Sequence, residues 1–334
     1  VIPTEDPVVT KHSGSLRELL SFAFPLIVSH MSQSMMWVVD TLIMGHVGTV
    51  EQGAVGLGGV LSWALTSFFM GTISIVNVFV AQDFGAKRPD LARHVRTAVI
   101  LTLPMALCMA LLWFVVPSGL KALGATQAVL PYAQTYIQLR LLSAPLTLIS
   151  FAITSYLRGV GDMLTPMLVS ISANVVNAIA AALLVFGLIG LAPMGVAGAA
   201  WGTTLAATFE VACYILVFFF NKKTRLHGSR NLRLPSGNDL RLFLQNGAPI
   251  GLTWLFEMVA WTSFSAYAGT RKASELAAHT VILQITGFCF MPAVAIGIAA
   301  STLVGQYVGA NRPDLASRSA RRAIIAGMTY TSTI

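Results

Sequence analysis

Long apolar segments separated by short polar loops run through the whole chain. Each is long enough to cross a hydrocarbon core of about 30 Å as a helix. Helices also pair their backbone groups internally, as lipid requires. The pattern therefore predicts an all-α membrane protein. The predicted spans are 19–43, 54–81, 96–117, 130–157, 164–188, 195–220, 242–268 and 277–305, and a ninth begins near residue 319.

One polar stretch between two spans occurs twice. Residues 80–92 (VAQDFGAKRPDLA) return as residues 304–316 (VGQYVGANRPDLA), with nine of thirteen positions identical. The same offset of 224 residues pairs Pro25 with Pro249. Six predicted spans separate the copies, an even number, so both halves enter the membrane in the same direction as parallel repeats. The sequence predicts two six-helix bundles, twelve helices when complete, of which about eight and a half are present.

The duplication also predicts the domain boundaries. Residues 1–220 would form the N-terminal six-helix bundle, residues 221–241 a cytosolic linker, and residues 242–334 the start of the C-terminal bundle with helices seven, eight and part of nine. The chain has no initiator Met and stops at Ile334 inside an apolar segment. We therefore expect a C-terminally truncated chain that does not transport by itself, because about half of the second bundle is missing.

Composition and charge support a membrane location and add an orientation. The chain is 55% hydrophobic and only 10% charged, with a net charge of +8, whereas soluble domains carry roughly 25% charged residues. With the N-terminus inside, 17 of the 21 Lys and Arg residues fall in cytosolic segments, as the positive-inside rule requires. We expect a monomer integral to the plasma (bacterial inner) membrane, with a cytoplasmic N-terminus. The basic charge is explained as a topology signal, so no nucleic-acid partner is expected.

Three acidic residues lie inside predicted spans: Asp40 in the first, Glu210 in the sixth and Glu257 in the seventh. Such an acid costs at least about 2.5–3.5 kcal/mol at the bilayer centre, so it usually faces a cavity or a partner. Burial disfavours the charged form, which makes protonation or Na⁺ binding a usable switch. The alternative is a satisfied interhelical hydrogen bond. We favour the switch for Asp40 and Glu257 and the hydrogen bond for Glu210.

Amide and aromatic side chains accompany these acids. Asn174 and Asn177 share one face of the fifth span and can offer carbonyl oxygens to a cation, although amides are equally common between packed helices. Sulfur and aromatic groups beside an acid can accept flat organic cations, although lipid-facing packing is the favoured role for most of them. The candidate substrate-cavity residues are Met36, Trp37, Trp254, Phe256 and Glu210.

Several short motifs are spread over nearly the whole chain. They are 39–45 (VDTLIMG), Gln82 with Gly85 and Ala86, 157–167 (LRGVGDMLTPM), 195–200 (GVAGAA), Pro249 with Phe256 and Glu257, and 277–279 (AAH). In sequence and in order, these motifs resemble those of the multidrug and toxic compound extrusion (MATE) transporters of the NorM-like branch.

This resemblance implies a twelve-helix antiporter that exports cationic, hydrophobic small molecules against an inward H⁺ or Na⁺ gradient, with no other cofactor. By position, Asp40 and Asn177 would belong to the cation cluster of the N-terminal bundle, and Glu257 would be the acid of the C-terminal bundle. Na⁺, if it is the coupling ion, would bind at Glu257 or Asp40. The family often has a second Asn or Asp where this chain has Ala181, and Asn174 is a candidate substitute.

The runner-up function is a flippase for a lipid-linked sugar, from a related superfamily. A flippase would favour a strongly cationic cavity, whereas the ionisable groups within the predicted spans are mostly acids, opposed by Arg140. An ion channel or structural subunit fits the duplicated bundles less well. An enzyme is least expected, because the sequence shows no Walker A motif, no GxSxG motif and no His/Cys cluster with metal-ligand spacing.

Overall fold

The chain folds into helices joined by short loops. A computed structural model describes residues 14–122, 126–190, 192–231, 233–269 and 273–333, without the side chains of residues 122, 265–269 and 273–285. The helices are α1 (Leu16–Gly45), α2 (Thr49–Ile73), α3 (Ile75–Gly85), α4 (Arg93–Ala122), α5 (Leu130–Gly159), α6 (Leu164–Phe186), α7 (Val196–Phe220), α8 (Lys222–Leu226), α9 (Gly237–Gly269), α10 (Ala273–Gly309) and α11 (Pro313–Ser332).

The helices confirm the predicted all-α membrane fold. Seven stretches are long and apolar enough to cross a membrane among the residues described: α1, α2 with α3 as one span, α4, α5, α6, α7 and the Thr286–Gly309 part of α10. The predicted seventh span is present as α9. Glu257 and several hydroxyl-bearing residues make α9 less apolar than these seven.

The predicted second span is interrupted at Ser74, between α2 and α3. Its hydroxyl donates a 2.6 Å hydrogen bond to the carbonyl of Gly71, and its N–H bonds back to Met70 and Gly71. A serine that bonds its own helix backbone competes with the regular ladder and often bends the helix. This bend was not visible in the hydropathy pattern.

The predicted linker, residues 221–241, is partly helical. It contains the short helix α8, and α9 begins at Gly237 rather than at the predicted residue 242. Ser236 and Asp239 explain the early start, because the serine hydroxyl accepts from the Asp239 N–H and the Asp239 carboxylate accepts from the Ser236 N–H. This reciprocal pairing is a capping box, which stabilises a helix N-terminus. The division into two bundles around the linker stays a prediction.

Buried residues join the two halves of the chain. The largest core contains Tyr156 and Tyr214 and runs through α2 to α5, α7 and α9. A second core packs Leu26 of α1 against Leu303 and Tyr307 of α10. Because α10 belongs to the second repeat, the first helix of the chain is held as much by the second half as by the first.

The two repeated loops are anchored by different chemistry. In the first copy the buried carboxylate of Asp83 accepts from Arg88 at 2.8 Å and Arg93 at 2.8 Å, and lies 2.7 Å from a ring nitrogen of His94. In the second copy the equivalent residue is Tyr307, whose hydroxyl lies 2.7 Å from both carboxylate oxygens of Glu18 on α1. The repeat therefore preserves the shape of the loop but not its ion pairs.

Candidate functional site

A carboxylate and an amide meet between α1 and α6. Asn177 donates a 2.9 Å hydrogen bond from Nδ2 to Oδ1 of Asp40. Asn177 is completely buried, whereas Asp40 is half-buried. The two residues are far apart in sequence, and the packing of α1 on α6 brings them together. The structure thus places side by side the acid and the amide that the resemblance groups in one cluster.

The amide oxygen of this pair has no partner. Oδ1 of Asn177 is buried and accepts no hydrogen bond, although buried polar atoms are rarely left unpaired. An unpaired acceptor beside a carboxylate is suited to a proton carried by that carboxylate or to a bound cation, since either would satisfy it. Among the described residues, no three His, Cys, Asp or Glu side chains cluster to hold a metal ion.

The surroundings of Asp40 include groups that sequence reasoning missed. Tyr136 of α5 is 6% exposed, lies beside Thr203 of α7, and is close enough to Asp40 and Arg140 for their charges to act on its hydroxyl. These residues lie on helices remote in sequence from α1, so no local spacing signal could have found them. Asp40 therefore has hydroxyl, amide and guanidinium groups of two other helices, α5 and α6, in its surroundings.

Arg140 lines a small cavity between α2 and α5. The cavity has a volume of about 30 Å³, and its walls also include Ser62, Trp63 and Thr66. The hydroxyl oxygen of Ser62 is buried there without a hydrogen-bond partner. This volume is large enough for a water molecule, and a buried water needs polar partners such as the Ser62 hydroxyl. Arg140 thus lies beside a small cavity that contains the Ser62 hydroxyl, and its charge also interacts with that of Asp40.

Tight helix packing surrounds Ala181, the position at which the resemblance leads us to expect a second Asn or Asp. Ala181 is 1% exposed and packs on α7, where a Cβ added to Gly202 would lie 2.8 Å from the Ala181 Cα. Gly198, one turn away, lies equally close to the backbone of α6. Small residues four apart let membrane helices approach closely. Position 181 therefore supplies packing and no oxygen ligand.

Asn174 has its own partner. Its Nδ2 donates to the hydroxyl of Ser32 on α1, about two helical turns before Asp40. Asn174 and Asn177 therefore tie α6 to α1 at two levels, and only Asn177 is hydrogen-bonded to the acid. A role for Asn174 as a substitute ligand stays a prediction.

The predicted cavity residues lie in different surroundings. Met36 is half-buried, while Trp37, Phe256 and Glu257 are exposed. Trp254 is half-buried instead, with its ring 6.2 Å from that of Phe151 and its indole beside Gly71 of α2. The structure therefore gives Trp254 a packing role between α2, α5 and α9 in addition to any contact with substrate.

Glu210 lies with a buried arginine rather than with Asp40. It is half-buried on α7 and interacts electrostatically with Arg158 of α5, which also affects His30 of α1. Arg158 follows the predicted fourth span and is one of the 17 basic residues counted as cytosolic, and the side of the membrane on which it lies stays a prediction. Arg158 is only 9% exposed, because the last turn of α5 packs among the other helices and does not project into a loop.

Comparison with known proteins identifies the family. The MatE family model matches residues 25–183 and 249–334. A probable multidrug resistance protein NorM of Burkholderia pseudomallei is 30% identical over 98% of this chain and 69% of its own length. The corresponding protein of Photorhabdus laumondii is 29% identical over 88% of this chain and 65% of its own length. The chain thus spans about two thirds of the length of these curated relatives.

Solved structures share the fold. An outward-facing multidrug resistance MATE family transporter superposes with a TM-score of 0.86 over 96% of this chain and 72% of its own, at 20% identity. A transporter of the same superfamily from Pyrococcus furiosus, described as having a binding pocket of reverse polarity that suggests a different function, gives 0.84 over 96% of this chain and 72% of its own, also at 20% identity. From the family match over most of its length, the chain belongs to the MATE family of multidrug efflux transporters.

Proposed function

We propose that this protein is a secondary antiporter that exports organic cations in exchange for H⁺ or Na⁺. The observation that carries the proposal is the Asp40–Asn177 pair, with its 2.9 Å hydrogen bond and the unpaired, buried Oδ1 of Asn177. A half-buried carboxylate in this setting gains from a proton, a metal cation or an organic cation, and these compete for one charge. Competition for one site is the simplest way to couple two cations.

Exchange requires that the two cations favour different conformations. A ligand shifts a conformational equilibrium only by its differential affinity for the two states. A proton or Na⁺ neutralises Asp40 and satisfies the Asn177 oxygen, which favours the close approach of α1 and α6. A bulky organic cation needs space beside the acid and would favour a state in which the helices have moved apart. Ion entry would then drive release of the organic cation.

Glu257 is proposed as the acid of the second half. It lies exposed on α9, beside the exposed ring of Phe256. The repeat equivalent of Glu257 is Gln33, and that of Asp40 is Phe264. The halves therefore carry their acids at different depths, so the two acids are not interchangeable, and each requires its own test.

The remaining expectations complete the proposal. We place the N-terminus in the cytoplasm of a bacterial inner-membrane protein, supported by the Lys and Arg distribution. We expect a monomer that uses no cofactor other than the coupling ion, has no nucleic-acid partner and catalyses no covalent chemistry.

The test is efflux of a fluorescent organic cation from cells without their own pumps, using the full-length protein. Wild type is compared with Asp40→Asn and Glu257→Gln while the Na⁺ and H⁺ gradients are collapsed in turn. We expect efflux that depends on one gradient and is lost in Asp40→Asn. Efflux that survives Asp40→Asn but not Glu257→Gln would move the coupling site to α9. Efflux in both variants, equal to wild type, would contradict the proposal.

Flipping of a lipid-linked sugar is the second candidate. The observation that favours it is Arg140, a cationic group that lines a small cavity between α2 and α5 and carries the charge that a phosphate needs. The same cells distinguish the two functions, because a flippase would leave the organic cation inside under either gradient and would move a fluorescent lipid-linked sugar in vesicles.

A further inference from the structure

An arginine lies in the membrane-spanning part of α5 without a direct partner. Arg140 is half-buried, and in the described part of the chain its guanidinium takes part in no ion pair and no hydrogen bond. A charged side chain inside a membrane span is costly and usually faces a polar interior or a counter-charge. The position of Arg140 relative to the acid of the first helix therefore decides what it can do.

The packing of α2 on α5 fixes where Arg140 lies. A Cβ added to Gly58 of α2 would lie 2.7 Å from Cδ1 of Tyr136 on α5, so the two helices touch at this level. One turn farther along each helix, Ser62 and Arg140 line the same cavity of about 30 Å³. Residues four apart share one face of a helix, so Tyr136 and Arg140 both lie on the face of α5 that meets α2.

Asp40 of α1 lies close to this face of α5. Tyr136 belongs to one buried cluster with Met44, which is one turn from Asp40 on α1. The charges of Asp40 and Arg140 both act on the Tyr136 hydroxyl, and the charge of Arg140 acts on Asp40 as well. The two charged groups thus lie beside Tyr136, near enough to interact but without an ion pair between them.

The direct partner of Asp40 is uncharged. Asn177 donates a 2.9 Å hydrogen bond to its carboxylate, which leaves the negative charge available to a cation. A cation bound there would also lie within reach of the positive charge of Arg140, and like charges repel each other more strongly inside a protein than in water. Arg140 therefore reduces the affinity of the carboxylate for a cation without blocking access to it.

Weaker binding is useful in a transporter, because each cation that binds must also leave. Affinity differences among variants of one complex appear mainly in the dissociation rate. We propose that Arg140 is an internal counter-charge that weakens the binding of cations at Asp40 and thereby speeds their release. The inference rests on the antiport proposed at Asp40. Arg140 acts through its charge and is not a ligand of either cation, so it tunes the site without forming it.

The test is binding of tetraphenylphosphonium, a bulky organic cation, to the purified full-length protein in detergent. Arg140→Gln and Arg140→Met remove the charge, whereas Arg140→Lys keeps it. We expect the first two to lower the Kd about tenfold through slower dissociation, and Arg140→Lys to bind like wild type. Loss of a residue with only a structural role would weaken binding, so tighter binding is specific to the counter-charge. Unchanged or weaker binding in a folded neutral variant would overturn the inference.

Lys121→Gln is the matched control. Lys121 is exposed in the last turn of α4, so this substitution also removes one positive charge from the molecule, at a position outside the Tyr136 contact. We expect its Kd to equal that of wild type. Equal tightening in Lys121→Gln and Arg140→Gln would show that net charge alone is responsible and would overturn the role of Arg140.

Asp40→Asn separates the inference from the proposed function. Binding that survives Asp40→Asn unchanged would contradict the antiport site at Asp40, and the inference with it. Binding that is lost in Asp40→Asn but is not tightened in Arg140→Gln would overturn the counter-charge alone. Transport in inside-out vesicles adds a kinetic readout, because a tightly held cation leaves slowly: Arg140→Gln should lower the KM and the maximal rate together. A raised KM in this variant would also overturn the inference.

Discussion

Asn177 holds Asp40 by a single 2.9 Å hydrogen bond and has no partner for its own oxygen. A hydrogen bond to a charged group contributes about 1.5–3 kcal/mol, which corresponds to about ten- to hundredfold in an equilibrium constant. The pair is therefore strong enough to set the affinity of the proposed site for a coupling ion. It is also incomplete, since binding of a proton or cation would satisfy the remaining oxygen.

The first prediction concerns Asn177→Ala. Removing the amide takes away the donor to Asp40 and the free acceptor together, so we expect gradient-driven efflux to fall about tenfold or more. Asn174→Ala is the matched control, because Asn174 lies on the same helix but donates to Ser32. We expect that variant to retain most of its efflux. Equal losses in the two variants, measured at equal protein levels, would show that both amides act only by joining α6 to α1.

The second prediction concerns the close packing of α6 on α7. In Gly202→Ala the new Cβ would lie 2.8 Å from the Cα of Ala181, so the helices must separate. Overpacking of this kind typically costs about 1–3 kcal/mol, and we expect a lower melting temperature in detergent. Gly56→Ala is the control, since nothing lies within 4 Å of its added Cβ and alanine favours helix by about 1 kcal/mol. A stable Gly202→Ala would contradict the packing of Ala181.

Hydropathy and the repeat predicted the helices well, because both signals persist over long segments. The Ser74 interruption was missed, since it depends on one hydroxyl bonding its own helix. The early start of α9 was missed because the cap formed by Ser236 and Asp239 lies in a polar stretch. Local hydrogen bonds thus decided where the elements begin and bend.

The site was predictable only in part. Asp40 was visible as an acid inside an apolar span, and the resemblance grouped Asn177 with it. Tyr136 and Thr203 gave no signal, because the contact between α5 and α7 that joins them depends on tertiary packing. The burial of Arg158 was not predicted, because the residue follows an apolar span, and only the structure shows that it packs among the helices.

The third prediction concerns Arg158 and Glu210. The charge of Glu210 acts on the buried Arg158, and a buried charge that loses its compensating partner costs up to about 3–5 kcal/mol, the cost of breaking a buried ion pair. We expect Arg158→Met to lower the melting temperature sharply, and the double variant Arg158→Met with Glu210→Gln to recover much of the loss. Thermal unfolding of the two single variants and the double variant in detergent measures the coupling. Additive losses would show that Glu210 does not compensate the charge of Arg158.

The fourth prediction concerns His227, in the loop after α8. Burial lowers the pKa of His227 below its ordinary value of 6.5, and its Nδ1 lies 2.7 Å from the Tyr156 hydroxyl. Below about pH 6.5 His227 therefore takes up a proton more readily in the unfolded chain than in the folded chain. The folded state is most stable with respect to this group above about pH 6.5, and its stability falls as the pH drops below that value. We expect the melting temperature to fall in this acid range, and to fall less in His227→Gln. The exposed His46 supplies the control, since His46→Gln should follow wild type; an unchanged slope in His227→Gln would refute the assignment.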